Sequence, residues 1–207
     1  MTQKMHREIQ MQADSILKQA GRIWKACLVL LLAGVLQAGA EEVPLWDAVA
    51  AGGHVVLLRH AIAPGTGDPP EFTLGECDTQ RNLSEKGRAQ ARRIGDLFRA
   101  QGIDAALVYS SQWCRCLETA RLLGLGPVRE LPLLNSFFRE RERQEYQTLL
   151  LEVWIARQDL DTPVVLVTHQ VNITALTGVF PAPGELVVVR RPQGEGGFTV
   201  LGTVATE

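Results

Sequence analysis

Val55–Val56–Leu57–Leu58–Arg59–His60–Ala61 decides how the chain is read. Four apolar residues run directly into an Arg–His pair, and Pro64–Gly65 follow shortly after. A short continuous apolar run ended by turn residues is the pattern of a buried strand in a parallel sheet. Arg59 and His60 then lie at the strand's carboxyl end, the edge where open α/β sheets bind ligands. A guanidinium is a planar donor fork that stays charged, and an imidazole titrates near neutrality. The pair suits a phosphoryl group. Taken alone, the stretch also fits a solvated strand end followed by a hydrogen-bonded turn histidine, so the other strands have to decide.

Two of them carry the same kind of ending. Ala105–Tyr109 reads as a strand that stops at Ser110–Ser111, and a helix from about Gln112 to Leu123 places Arg115 in its first turn. Pro163–Thr168 is the clearest strand in the chain and stops at His169, followed by a short helix from Asn172 to Gly178. Around these lie a short helix at Pro44–Ala51, a helix capped by Ser84 and running through Arg99, and a helix over 142–157. The last is expected to turn Leu149, Leu150, Val153 and Trp154 inward. Residues 61–80 are rich in Pro and Gly and form a long loop, and long loops in compact domains are usually functional. Residues 128–141 read as irregular. Leu186–Val189 and Phe198–Leu201 are two final strands around a turn containing Gly194, Gly196 and Gly197. Alternating strands and helices imply an α/β three-layer sandwich. Its central sheet is mostly parallel, with helices on both faces, in one domain over residues 41–207. Arg59–His60, Ser110–Ser111 with Arg115, and His169 then meet on one sheet edge, which favours a functional site over three separate coincidences.

The N-terminal 40 residues differ. Lys4, Arg7, Lys18, Arg22 and Lys25 precede a charge-free stretch from Ala26 to Ala40, which ends Ala38–Gly39–Ala40 before Glu41–Glu42. A basic region, an apolar core and small residues at a cleavage point form a signal peptide. The apolar stretch is 15 residues, shorter than the roughly 20 that span a bilayer. An uncleaved anchor at residues 26–40 in the inner membrane is the alternative to a periplasmic or secreted protein, and cleavage leaves no stable membrane insertion. Residues 1–40 hold five of the 21 basic and two of the 23 acidic residues, so their removal leaves a net charge of about −5. That balance disfavours nucleic acid as a partner. Cys77, Cys114 and Cys116 remain, and export permits a disulfide from Cys77 to either of the others. Cys-x-Cys without further ligands is not zinc spacing.

Four motifs occur in order: Arg59–His60–Ala61; Asn82–Leu83–Ser84–Glu85–Lys86–Gly87–Arg88–Ala89–Gln90–Ala91; Ser110–Ser111 with Arg115 and Thr119–Ala120; and Thr168–His169. Together they resemble the histidine phosphatase superfamily, with its phosphoglycerate-mutase-like fold, and the leader suggests an exported, bacterial-type member. The resemblance implies that neutral His60 attacks phosphorus and forms a phosphohistidine. Its second nitrogen must be held as N–H by an acceptor. Arg59 and Arg115 grip phosphoryl oxygens in bidentate fashion, and a protonated His169 adds a donor. Asn82 and Arg81 are further phosphate-binding candidates, although Arg81 reads equally well as a solvated loop residue. The scheme needs no metal and no cofactor, and a small phosphorylated molecule is the expected substrate.

One part departs from the pattern. The family's acid stands in a Leu–Asn–Glu segment or directly after the second His. Here those positions are Leu134–Asn135–Ser136 and Gln170. Glu140, Glu142, Glu145 and Asp78 remain as donors, with Glu140 and Glu142 preferred because they follow Asn135–Ser136 on the same loop. The expected function is therefore a phosphomonoester hydrolase of the periplasm or cell envelope. The alternative is a non-catalytic phosphate-binding pseudoenzyme that lacks the acid. Oligomeric state is not legible.

Overall fold

Strands β1 (His54–Arg59), β2 (Leu107–Ser110), β3 (Val128–Glu130), β4 (Val164–Thr168), β5 (Leu186–Arg190) and β6 (Thr199–Val204) form one sheet in the order β3–β2–β4–β1–β5–β6. The computed structural model describes residues 45–191 and 197–206. The signal peptide read in residues 1–40, with its anchor alternative, and Gly194 and Gly196 of the late turn lie outside the described residues. β1, β4, β2 and β3 pair in parallel, while β5 and β6 add antiparallel pairings at one side, with a register shift between Val188 and Val189.

Alternation along the strands separates two cores. Val56, Leu58, Val165 and Val167 point to one face, where helices α1 (Leu45–Ala50), α2 (Glu85–Ala100) and α3 (Cys114–Leu123) cover them. Val55, Leu57, Val164 and Leu166 point to the other, under α4 (Gln144–Ala156) and α5 (Gln170–Thr177). Strands buried on both sides read as unbroken apolar runs, which is why β1 and β4 stand out in the sequence. The result is the expected three-layer α/β sandwich.

Two local expectations are corrected. Residues 128–141 are not wholly irregular: Val128–Glu130 pairs with β2 as an edge strand, held by backbone hydrogen bonds that need no apolar pattern. The inner face of α4 is Gln147, Leu151 and Ile155, not Leu149, Leu150, Val153 and Trp154. Leu149 and Val153 are exposed, and Trp154 is only partly buried, edge-on to Tyr109.

The chain leaving β1 is clamped where the site begins. Ser84 caps α2, its Oγ accepting from Gly87 N at 3.1 Å. A Cβ at Gly87 would lie 2.1 Å from the Ile62 carbonyl oxygen, so only glycine lets the helix start sit on that loop. Gln90 accepts from Ile62 N at 3.0 Å and donates to Pro183 O at 2.9 Å. Cys77 and Cys114 form a disulfide that ties the 3₁₀ turn Cys77–Thr79 to the start of α3, while Cys116 is a buried free thiol. The bridge spans 37 residues of chain, and closing a loop of that length restricts the unfolded state by about 4 kcal/mol. The double variant Cys77→Ser/Cys114→Ser is expected to lose stability of that order, read as a lower urea midpoint, with a steeper slope because the released unfolded chain exposes more surface.

Candidate functional site

Sheet order brings the functional ends together. β4 lies between β2 and β1, so the residue after β4, His169, lies between those after β1 and β2. His60 N donates to Thr168 O at 2.9 Å and Ser111 N to Val167 O at 2.9 Å, which continues the strand register into the site. The His60 and His169 ring centroids are 5.6 Å apart. Arg59, His60, Arg81, Arg115, His169 and, toward the mouth, Arg141 line one cleft of about 380 Å³. All four residues read from the strand ends are therefore in one place, and Arg81 joins them.

His60 is buried, and its Nδ1 lies 2.8 Å from the Ala61 carbonyl. A carbonyl only accepts, so Nδ1 carries the proton and Nε2 keeps its lone pair. Burial first, then the Arg115 charge, push the His60 pKa well below its usual range, so the ring is neutral. Ala61 N in turn donates to Thr119 Oγ1 at 3.0 Å, and Thr119 Oγ1 donates to Arg115 O at 2.7 Å. Thr119 thereby fixes the end of β1 to the helix that carries Arg115.

His169 is likewise neutral, contrary to the protonated donor expected from the sequence. Burial and then Arg115 push its pKa well down. Ser111 Oγ lies 2.8 Å from its Nε2 and donates onward to Asn135 Oδ1 at 3.2 Å, so Nε2 carries the proton. Nδ1 faces Arg115 Nη2 at 3.4 Å and accepts. Cys116 lies 3.5 Å from His169 Nε2, but burial raises its thiol to about 12, and it is no nucleophile at neutral pH.

Arg115 does not hold its fork open. Its Nη1 lies 2.6 Å from Asp68 Oδ1 and its Nη2 3.2 Å from Asp68 Oδ2. Asp68, on the loop after His60, thus occupies the bidentate position expected for phosphate. Trp113 Nε1 donates to Asp68 Oδ2 at 3.0 Å and Arg81 N to Asp68 Oδ1 at 3.3 Å. Burial alone raises the Asp68 pKa, but hydrogen bonding to Arg115, the Arg115 charge and the Trp113 bond outweigh it, and the net shift is downward. The cleft otherwise holds like charges. Burial and Arg115 lower Arg59, and the same two causes bring Arg81 to about 10, still protonated at neutral pH. Three buried or half-buried guanidinium groups and two buried imidazoles beside a single carboxylate leave a site that favours a multiply charged anion. Among the described residues no group of three or more His, Cys, Asp or Glu side chains is arranged to hold a metal.

Residues 55–149 match the family described as histidine phosphatase superfamily (branch 1). The region from β1 into α4 thus matches the histidine phosphatase superfamily. A 2,3-bisphosphoglycerate-dependent phosphoglycerate mutase of Corynebacterium diphtheriae is 40% identical over 70 residues, which is 34% of this chain and 27% of the mutase. The chain thus spans about a quarter of the length of that curated relative. The protein histidine phosphatase SixA, solved with tungstate, superposes with a TM-score of 0.52 at 14% identity, covering 74% of this chain and 97% of SixA. A phosphoserine phosphatase of Entamoeba histolytica, solved with 3-phosphoglyceric acid, gives 0.52 at 14% identity over 74% and 98%. At that identity the likeness is one of fold.

The two positions where an acid is expected, Ser136 and Gln170, both line the cleft and neither bears a carboxyl group. The substitutes read from the sequence lie elsewhere. Glu140 is exposed, pairs with Arg143 at 2.6 Å, and borders only a small neighbouring cavity. Glu142, Glu145 and Asp78 are exposed and absent from the cleft lining. Asn82 is corrected as well: its Nδ2 donates to Gln80 O at 3.1 Å and to Cys77 O, which makes it a tie within the loop. The carboxylate in the cleft is Asp68, which sequence reading missed. Its signal was its place between Gly67 and Pro69 on the loop after His60.

Proposed function

We propose that the chain is a phosphomonoester hydrolase working through a phosphohistidine on His60. The observation that carries this reading is the His60 Nδ1–Ala61 carbonyl contact of 2.8 Å, which leaves a neutral Nε2 lone pair in a cleft walled by guanidinium groups. Nε2 forms a bond to phosphorus while the bond from phosphorus to the ester oxygen breaks, and the electron pair stays on the departing oxygen. Asp68 supplies the proton that this oxygen needs. In the second step water attacks phosphorus, Asp68 accepts its proton, and the N–P pair returns to Nε2. Arg59, Arg81 and Arg115 hold the phosphoryl oxygens, and each donor of this kind is typically worth on the order of 10²- to 10³-fold in rate.

A dianion entering the cleft competes with Asp68 for the Arg115 fork. That competition removes the partner that keeps the Asp68 carboxyl ionised, so substrate binding itself prepares the acid. His169 positions Arg115 through Nδ1 and becomes a donor only when the dianion supplies a counter-charge. The substrate is a small organic phosphate. The protein acts in the periplasm or cell envelope, a reading supported by the basic-then-apolar leader and by the Cys77–Cys114 bond, since disulfides persist in oxidising compartments.

Alkaline quenching during turnover of a radiolabelled phosphomonoester tests the mechanism. Label stable to alkali, labile to acid and mapped to the peptide holding His60 is the expected result. Turnover with no acid-labile label on that peptide would refute a phosphohistidine.

A further inference from the structure

The cleft has two chemically different ends. Around His60 and His169 it is buried and polar. At its mouth Phe180 is 73% exposed, the largest exposure of any bulky apolar side chain described, and Phe138 is 42% exposed. Arg141 stands between these characters. Its guanidinium carbon lies 5.1 Å above the Phe138 ring centroid. Among the described residues it has no carboxylate partner, although its neighbour Arg143 is paired with Glu140. A guanidinium stacked on a ring is held in orientation while its N–H edge stays free for an anion. The cleft, about 380 Å³, falls within the range of roughly 300–1,000 Å³ that encloses organic ligands. A phosphoryl group alone leaves much of it unfilled.

We infer that Phe138, Phe180 and Arg141 form a leaving-group subsite that selects phosphomonoesters whose alcohol carries both a flat ring and a second anionic group. The inference deepens the phosphatase reading and rests on it for the orientation of substrate, with phosphorus at His60 and the alcohol at the mouth. The two rings offer apolar faces to the flat group, and Arg141 offers a charge-assisted hydrogen bond to the anion.

Calorimetric binding to the His60→Ala form of the 207-residue chain tests it without any need for turnover. Four probes separate the two features: 4-carboxyphenyl phosphate has both, phenyl phosphate the ring, 3-phosphoglycerate the anion, and glycerol 3-phosphate neither. The expected order puts 4-carboxyphenyl phosphate tightest and glycerol 3-phosphate weakest. Arg141→Met is expected to shrink the advantage of 4-carboxyphenyl over phenyl phosphate by on the order of tenfold. Phe180→Ala is expected to shrink the advantage of phenyl over glycerol phosphate severalfold. The same ratios read as kcat/KM on chains that retain His60 are a second measure, should the His60→Ala form prove unstable. Equal affinity for all four probes, no binding at all, or ratios indifferent to Arg141→Met overturn the subsite. Failure of the hydrolase reading looks different: the probes bind in the expected order, and the chain with His60 intact releases no phosphate.

Discussion

Replacing His60 by alanine is expected to lower kcat for p-nitrophenyl phosphate by on the order of 10⁴-fold or more while leaving phosphate affinity within a few-fold. The variant removes the atom that forms the covalent bond, so no arginine can take over the step. Arg59, Arg81 and Arg115 still line the cleft, so binding of the dianion survives, and kcat and Kd separate. A drop in both together indicates a collapsed site and counts against a nucleophile at this position. The same variant carries a pH signature. His60 and His169 are buried with pKa values pushed below the usual 6.5. Below about pH 6.5 the unfolded chain therefore binds protons that the folded chain refuses. This stability is fully present above 6.5 and declines as pH falls, by about 1.4 kcal/mol per pH unit for each histidine. Urea unfolding of His60→Ala over the acid range should show a shallower pH dependence than the parent, by one histidine's share. An unchanged slope would mean that His60 titrates alike in both states.

How much of this was legible before the fold was known follows from where each signal resides. β1 and β4 announce themselves because a strand covered on both faces has to be apolar throughout, and Arg59, His60 and His169 are read from the ends of those runs. β3 is invisible because Val128–Glu130 has one apolar and two charged residues, and only backbone pairing makes it a strand. α4 misleads for the opposite reason. Leu149 to Leu151 and Val153 to Ile155 are apolar almost all round the helix, so periodicity selects no face. Packing selects the one that includes Gln147, whose amide donates to Leu133 O and Asn135 O. Asp68 escapes because the path of its loop is set by distant partners. Arg81 bonds the Gly67 and Ala63 carbonyls, Arg139 bonds the Asp68 carbonyl, and Trp113 bonds the Asp68 carboxylate. The charge of His169 is out of reach for a related reason, since burial and the position of Arg115 decide it and neither is local.

Asp68→Asn is expected to have opposite effects on binding and on turnover. The wild-type carboxylate sits in the Arg115 fork at 2.6 and 3.2 Å and competes with any phosphate for it. Asparagine keeps the shape, removes one negative charge from the cleft and weakens that competition. Two unit charges about 4 Å apart interact by about 1 to 4 kcal/mol between bulk-water and near-surface dielectric. Affinity for inorganic phosphate or tungstate should therefore rise about tenfold. Turnover should fall, and by an amount that depends on the leaving group. An alkyl oxygen departs poorly without a proton, so kcat for an alkyl phosphate should drop by roughly 10²- to 10⁴-fold, the usual range for general acid catalysis. p-Nitrophenolate needs no proton, and its phosphate ester should lose far less. The alkaline limb of the kcat profile for the alkyl phosphate should also vanish, because the group that must hold a proton in the complex is gone. A carboxylate that served only to orient Arg115 gives a different pattern: weaker anion binding, and equal losses on alkyl and aryl phosphates. Calorimetry with phosphate and the ratio of the two kcat losses therefore separate an acid from a strut in one variant.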